Sequence, residues 1–266
     1  MMHFAMHPDM VYDWPVWSAA LLLIGGAVLG AVVTELLARR LLGVEFRRRH
    51  NDAAAAMFSV VGVTYAVLLA FIATLSWEGF DKAEAAAYAE AAAAQDVADV
   101  LAGFGTSGLA MRTEVADYLR AVVTVEWPAQ AQGREIDAGS DALRRLGREA
   151  LALHPASLAE MNLDAALLQS VQRLRDARQV RLLAARGNVP GIVWAVVILG
   201  GGLTILCGSL LGVASLRMHL ALSAILAASG GLVLLLILAL SNPFRGEFRV
   251  STAPFDQVLR QMVAAP

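Results

Sequence analysis

Residues 53–104 read AAAAMFSVVGVTYAVLLAFIATLSWEGFDKAEAAAYAEAAAAQDVADVLAGF. The first 25 of these, Ala53 to Trp77, contain no Asp, Glu, Lys, Arg or His, and roughly 20 helical residues suffice to cross a bilayer core. Beyond Trp77 the chain turns polar through Glu78-Gly79-Phe80-Asp81-Lys82-Ala83-Glu84, then runs almost wholly in alanine from Ala85 to Ala94. Alanine is the strongest helix former. No proline interrupts, and the next turn signal is the stretch from Gly103 to Gly108. The stretch predicts one helix of about 50 residues, ~75 Å long. It crosses the membrane and continues as a strut into a water-exposed helical part. Alanines spaced by four, Ala83-Ala87-Ala91 and Ala85-Ala89-Ala93, either admit a close neighbouring helix or simply fill the helix.

Composition points the same way. The chain has 266 residues, 58% of them hydrophobic, with a mean hydropathy of +0.60. Soluble domains are roughly 45–50% apolar, and here the excess is concentrated in a few runs, as in an integral membrane protein. The net charge is −2 and no basic stretch reads as a nucleic-acid footprint, so no nucleic-acid partner is expected. Lys82 is the only lysine, and the single cysteine, Cys207, lies inside an apolar run. That leaves neither a disulfide framework nor a thiol metal site.

Upstream, residues 1–14 hold no Lys or Arg. The first apolar run, about Val16 to Val33, ends in Thr34-Glu35 and Arg39-Arg40. Basic residues that follow the run, without a small-residue cleavage site, argue for a first membrane span rather than a cleaved leader. Trp14 and Trp17 are expected at the interface, and Gly26 with Gly30 gives a GxxxG spacing that permits close helix packing. A short loop, Arg39 to Asp52, then carries Arg39, Arg40, Arg47, Arg48 and Arg49. Downstream, two further runs, about Val189–Val213 and His219–Leu240, are separated only by Ala214–Met218 and predict a tight antiparallel hairpin.

Between the second and third spans the chain reads as helical throughout. Ser107 is placed to cap a helix running to about Trp127, which Pro128 is expected to stop. Gln130 to Gly139 predicts a loop, Asp141 to about His154 a helix, and Ser157 with Glu160 a capping box. The capping box opens a long helix with an apolar stripe of Leu163, Leu167, Val171 and Leu174 that ends at Gly187 and Pro190. The fold class expected is all-α: a four-span membrane protein with a helical soluble domain between spans two and three. Its parts are 1–77 (tail and first hairpin), 78–188 (soluble domain), 189–240 (second hairpin) and 241–266 (C-terminal tail).

No nucleophile–base spacing stands out, so no enzyme activity, cofactor or metal is expected. Glu45, His50 and Asp52 offer metal-ligand chemistry in principle, but a solvated juxtamembrane loop is by far the better account of them. Glu126-Trp127-Pro128 is either an aromatic anchor and helix stop, or it places Glu126 as the buried partner of an arginine on the long helix. The hydroxyls of Ser59, Thr64, Tyr65, Thr74 and Ser76 either line a polar path or bond back to their own helix. At ~100° per residue, Ser59, Ala66, Ala70 and Thr74 fall on one narrow stripe, which faces a pore or a packed helix; they are the candidate pore-lining residues. The first span has five arginines soon after it and none before it. This favours a cytoplasmic first loop and an N-terminus outside.

A set of residues beyond this reading resembles the bestrophin-like domain of bacterial membrane proteins. It comprises His50-Asn51, Tyr65, Trp77, Glu90, Tyr118, Glu126-Trp127, Arg178, Arg181, Pro190, Trp194, His219 and Pro243-Phe244 with Gly246. The resemblance covers about 50–262. It implies a homo-oligomer in the lipid bilayer that passes small inorganic ions, with both termini and the soluble part in the cytoplasm, opposite to the arginine count. True bestrophins carry an acidic stretch after Pro-Phe-Gly. Here Arg245 separates Phe244 from Gly246, and Glu247-Phe248-Arg249 follows, so no calcium clasp is implied. The alternative function is a non-conducting membrane protein whose helical domain docks a partner or senses the envelope.

Overall fold

The computed structural model describes residues 15–187 and 189–264, without the side chains of Ser107 and Ala264. Trp14, His3, His7 and the capping hydroxyl of Ser107 lie outside the described residues. All regular structure among the described residues is helical. Four helices are long and apolar enough to span a membrane: α1 (Val16–Leu41), with α3, α8 and α9 below. After α1 come a short α2 (Val44–Arg49) and α3 (Asn51–Ala102), a single helix of 52 residues. The soluble helices are α4 (Thr106–Ala121), α5 (Trp127–Ala131), α6 (Ser140–Leu151) and α7 (Leu158–Ala184). Two spans, α8 (Gly191–Ser209) and α9 (Leu216–Ser241), and a final helix α10 (Ala253–Ala264) complete the chain. The chain divides into two compact units, Met1–Glu78 with Asn188–Ser241, and Gly79–Gly187 with Asn242–Pro266.

In the membrane unit, close approach is provided by glycines other than the expected pair. Gly26 and Gly30 face open space, whereas a methyl group on Gly231 of α9 would stand 2.9 Å from the Ile24 backbone of α1. That contact falls where α1 widens into a π-helical turn over Leu21–Gly25. On α8, Gly200 and Gly201 leave room for the Tyr65 ring, which a methyl at either position would meet at 2.9 and 2.8 Å. Leu69, Ile72, Val197 and Ile237 form the buried centre. The first span also runs further than its apolar run suggests, so that Glu35 and Arg39 are part of its helix.

In the soluble unit, one alanine row is buried and the other is split. Ala83, Ala87, Ala91 and Ala94 sit in the core, while Ala85 and Ala89 are exposed. Close packing, not filler, accounts for the buried row. Pro128 does not stop its helix. A π-helical turn over Val122–Glu126 widens the backbone just before it, which accommodates a residue that lacks an N–H and crowds the preceding turn. The chain then turns at Gly133 (φ 70°). There Arg134 N–H bonds the Ala129 carbonyl and Gly133 N–H that of Gln130, a Schellman ending that favours glycine. The expected cap of α7 is present: Ser157 Oγ accepts from Glu160 N, and the Glu160 carboxylate accepts from Ala156 N at 2.6 Å. Residues 242–264, set apart as a tail in the sequence, contribute Phe244, Val250, Phe255 and Val258 to this same core.

Candidate functional site

Arg178 and Arg181 continue the apolar stripe of α7 beyond Leu174, three and four residues apart, so the helix that buries its leucines buries these guanidinium groups too. Glu90 faces them from α3 and Tyr118 from α4. The π-helical turn brings Glu126 and the adjacent Trp127 to the core together. Arg178 Nη2 donates to Glu126 Oε1 at 2.5 Å, and its Nη1 donates to Oε2 at 3.1 Å. Arg181 donates to both oxygens of Glu90, to Glu126 Oε2 at 2.9 Å and to Gln130 Oε1 at 3.2 Å. The Tyr118 hydroxyl donates to Glu90, and Gly139 N–H donates to Glu126 Oε1 at 2.7 Å. Of the two readings of Glu126, the structure holds the buried partner of an arginine.

Glu90, Glu126 and Arg181 are each 0% exposed. Bringing one ion into such a place costs several kcal/mol, and the arrangement offsets this by setting two cations against two buried carboxylates. Asp137 adds a third carboxylate at the rim, 2.6 Å from Arg178. Burial alone would raise the Glu126 carboxyl, but the bonds and charges of Arg178, the Gly139 amide and Arg181 together hold it below the usual range. Asp137 is lowered in the same way: burial acts against ionisation, and Ser140, Arg178 and Arg144 outweigh it. Burial, then the charge of Glu90, pushes the Tyr118 phenol well above its ordinary value. Both guanidinium groups are held more firmly protonated despite burial, Arg178 chiefly by Glu126 and Arg181 chiefly by Glu90. Trp127 lies 5.2 Å under the Arg181 guanidinium, meets Phe244 and Phe255 edge-on, and donates to the Val250 carbonyl. Glu90 accepts from three donors and Glu126 from four. Together these groups form a rivet joining α3, α4, the π-helical turn and α7.

A second cluster, in the membrane unit, went unread in the sequence, which treats residues 39–52 as a solvated loop. Arg47 on α2 is buried and donates to Glu35 at 3.2 Å and to the Ser209 carbonyl at 2.6 Å. Arg39 donates to Glu35 and to the Val213 carbonyl, each at 3.0 Å. His219 presents Nδ1 at 3.0 Å from Glu35, outside hydrogen-bond alignment, and Nε2 at 3.2 Å from the Gly208 carbonyl. Asn51 accepts from Gly212 N–H at 2.8 Å. His50 stays exposed against Phe46, and Glu45 reaches Arg49. Among the described residues no three His, Cys, Asp or Glu side chains gather around a metal position.

The hydroxyls of Ser59, Thr64 and Thr74 bond back to the carbonyls four residues earlier, at 2.9, 2.8 and 3.0 Å. Ser59, Ala66, Ala70 and Thr74 are nevertheless all exposed on one face of α3. Taking Ser59 as zero and ~100° per residue, that face lies between about 340° and 60°, and the buried residues Leu69, Ile72, Ala83, Ala87 and Ala94 cluster near 250°. The exposed face does not end with the apolar run: Trp77, Asp81, Glu84, Tyr88, Ala92 and Asp99 continue it, every one exposed.

A family model for the Bestrophin-like domain matches residues 25–255. The chain belongs to the Bestrophin-like family. Solved structures agree in fold. A bacterial bestrophin homologue from Klebsiella pneumoniae, crystallised as a single-substitution variant, superposes with a TM-score of 0.67 at 17% identity, over 91% of this chain and 98% of that one. A second variant of the same protein reaches 0.69 at 14% identity, over 92% and 99%. A structure described only as a membrane protein reaches 0.63 at 17% identity, over 91% and 97%. No curated relative matches the chain by sequence.

Within this Bestrophin-like chain, the positions that carry the resemblance fall into four groups. Glu90, Tyr118, Glu126, Trp127, Arg178 and Arg181 meet in the rivet, and Phe244 packs edge-on against its Trp127. Pro243 accepts from Val250 N–H, and Gly246 takes a positive φ of 75°. Asn51, Tyr65, Trp194 and His219 pack within the membrane unit, and Pro190 caps α8. His50 and Trp77 remain exposed.

Proposed function

We propose that this Bestrophin-like membrane protein is an ion channel built as a homo-oligomer, with the exposed face of α3 lining the ion path. One observation carries the reading: a single helix of 52 residues presents one continuous exposed face that is small and weakly polar through the apolar run and carboxylate-bearing beyond it. Small side chains leave room along a symmetry axis, and closed symmetry would repeat the face in each protomer. Asp81, Glu84 and Asp99 lie on this face with no arginine or lysine among its residues, so the small ions it favours are cations. The arginine distribution favours the N-terminus outside the inner membrane; the bestrophin-type arrangement favours the reverse. Reporter fusions at Gly133, Ser215 and Pro266 decide, since the first and last must report one side and Ser215 the other.

The channel reading is tested by reconstitution. Wild type is expected to carry current in planar bilayers, and Ala70→Phe to block it while the oligomer stays intact in mild detergent. If Ala70→Phe breaks up the oligomer instead, the face packs against a helix. A stable wild-type oligomer silent in sodium, potassium and chloride salts leaves the docking or sensing role as the better account.

A further inference from the structure

Arg47 is 2% exposed, yet its guanidinium is satisfied on one side only. Nη1 donates to the Glu35 carboxylate and to the Ser209 carbonyl. Nε and Nη2 are shut off from solvent and have no hydrogen-bond partner among the described residues. These two nitrogens form one edge of the guanidinium, with their N–H bonds side by side, the fork that grips an anion. A buried donor is rarely left unmet, and here two adjacent ones are.

The charges around the fork leave the same gap. Part-buried Arg39 and buried Arg47 both converge on Glu35. From α8 and the turn after it the groups facing them are the neutral carbonyls of Ser209 and Val213. From α9 comes His219, whose Nε2 meets the Gly208 carbonyl; a proton on its Nδ1 as well would only add positive charge. The acidic side chains nearest in sequence, Glu45 and Asp52, are exposed, and Glu45 faces Arg49. Two cations thus share one carboxylate that is wholly buried. A water molecule in the fork would satisfy the donors but not the excess charge, and uncompensated buried charge is the larger cost.

We propose that the Nε/Nη2 edge of Arg47 holds a small inorganic anion of the halide class, resident between α1, α2 and the α8–α9 turn. Enclosure favours a monatomic ion over a larger oxyanion. The turn is pressed against α2, where a methyl group on Gly212 would stand 2.6 Å from Arg48 Cα, and Asn51 fixes it by accepting from Gly212 N–H. The bound ion neutralises the cluster and so stabilises the packing of α2 under the turn. The inference does not depend on ion conduction.

Thermal unfolding of the full chain in detergent tests it, with potassium chloride or bromide exchanged for potassium gluconate at constant ionic strength. Tm is expected to rise saturably with either halide. Arg47→Lys keeps the charge but loses the fork, and is expected to raise the half-saturating chloride concentration about tenfold or more, the loss of one charge-assisted hydrogen bond. Glu35→Gln removes the carboxylate that competes for Arg47 and is expected to lower it. A purely structural cluster would lower Tm in both variants without moving the half-saturation points apart, and that result overturns the site. Crystals of the wild-type protein grown in bromide give a reading that needs no variant: an anomalous peak at hydrogen-bond distance from Arg47 Nε and Nη2 is expected. Ordered water without anomalous signal at the fork, or equal Tm in halide and gluconate, overturns the proposal.

Discussion

Replacing Arg181 by methionine removes one of two buried cations and leaves both carboxylates in place. Glu126 keeps Arg178 on both oxygens and the Gly139 N–H. Glu90 fares worse: it keeps the Tyr118 hydroxyl, while its nearest remaining cation, Arg178, stands at 3.7 Å. An uncompensated charge on a group that is 0% exposed sets the cost, about 3–5 kcal/mol for breaking a buried pair from one side. Methionine retains much of the packing over Trp127, so lost volume is a minor part. The companion variant Arg181→Met with Glu90→Met removes the stranded carboxylate, and buried pairs replaced whole by apolar groups are often neutral. The double variant is therefore expected to recover to within about 2 kcal/mol of wild type. Denaturant unfolding followed by tryptophan fluorescence reads this out, since Trp127 lies against Arg181. A single variant within about 1 kcal/mol of wild type, or a double variant no better than the single, refutes the view that paired charge, not packing, governs this site.

Other outcomes follow from the same geometry. Glu126 and Asp137 have folded values below their ordinary 4.5 and 3.8, so their contribution is full above the unfolded values and is lost as pH falls through the lowered ones. Stability of the soluble unit should thus be flat at neutral pH and fall below about pH 4.5, with a shallower fall in Glu126→Gln; an identical acid limb in that variant sinks the assignment. Gly231→Val places side-chain atoms against the Ile24 backbone and should cost about 1–3 kcal/mol by overpacking, seen as a lower Tm, whereas Gly30→Val, which faces open space, should not. Asp81→Asn with Glu84→Gln should reduce the cation-to-anion permeability ratio without abolishing current; an unchanged reversal potential in a salt gradient would remove the carboxylates from the ion path.

The sequence alone determined the four spans, the unbroken α3 and the cap of α7, and for one reason: each depends on residues adjacent along the chain. A charge-free run longer than a bilayer is thick needs no tertiary partner to be read. The Ser157–Glu160 cap closes within a single turn. The angular stripe on α3 was likewise legible, since helical geometry alone orders its residues. What that stripe faces is not a local property.

Only tertiary structure decided the fate of the charges. Glu90 and Arg181 are 91 positions apart and Glu126 and Arg178 are 52 apart, separations that leave no periodic trace. Arginines on α7 therefore read alike, yet Arg178 and Arg181 are buried while Arg173 and Arg175 are exposed. The same holds for Arg47, which shares a basic run with exposed Arg48 and Arg49 but is drawn inward by Glu35 and the Ser209 carbonyl. Pro128 was misread because its usual effect assumes regular α geometry on its N-terminal side, and the π-helical turn supplies a wider one. Local propensity sets where helices run; the free energy of burying an ion depends on which distant oxygen or nitrogen arrives to meet it, and that information exists only once the helices have packed.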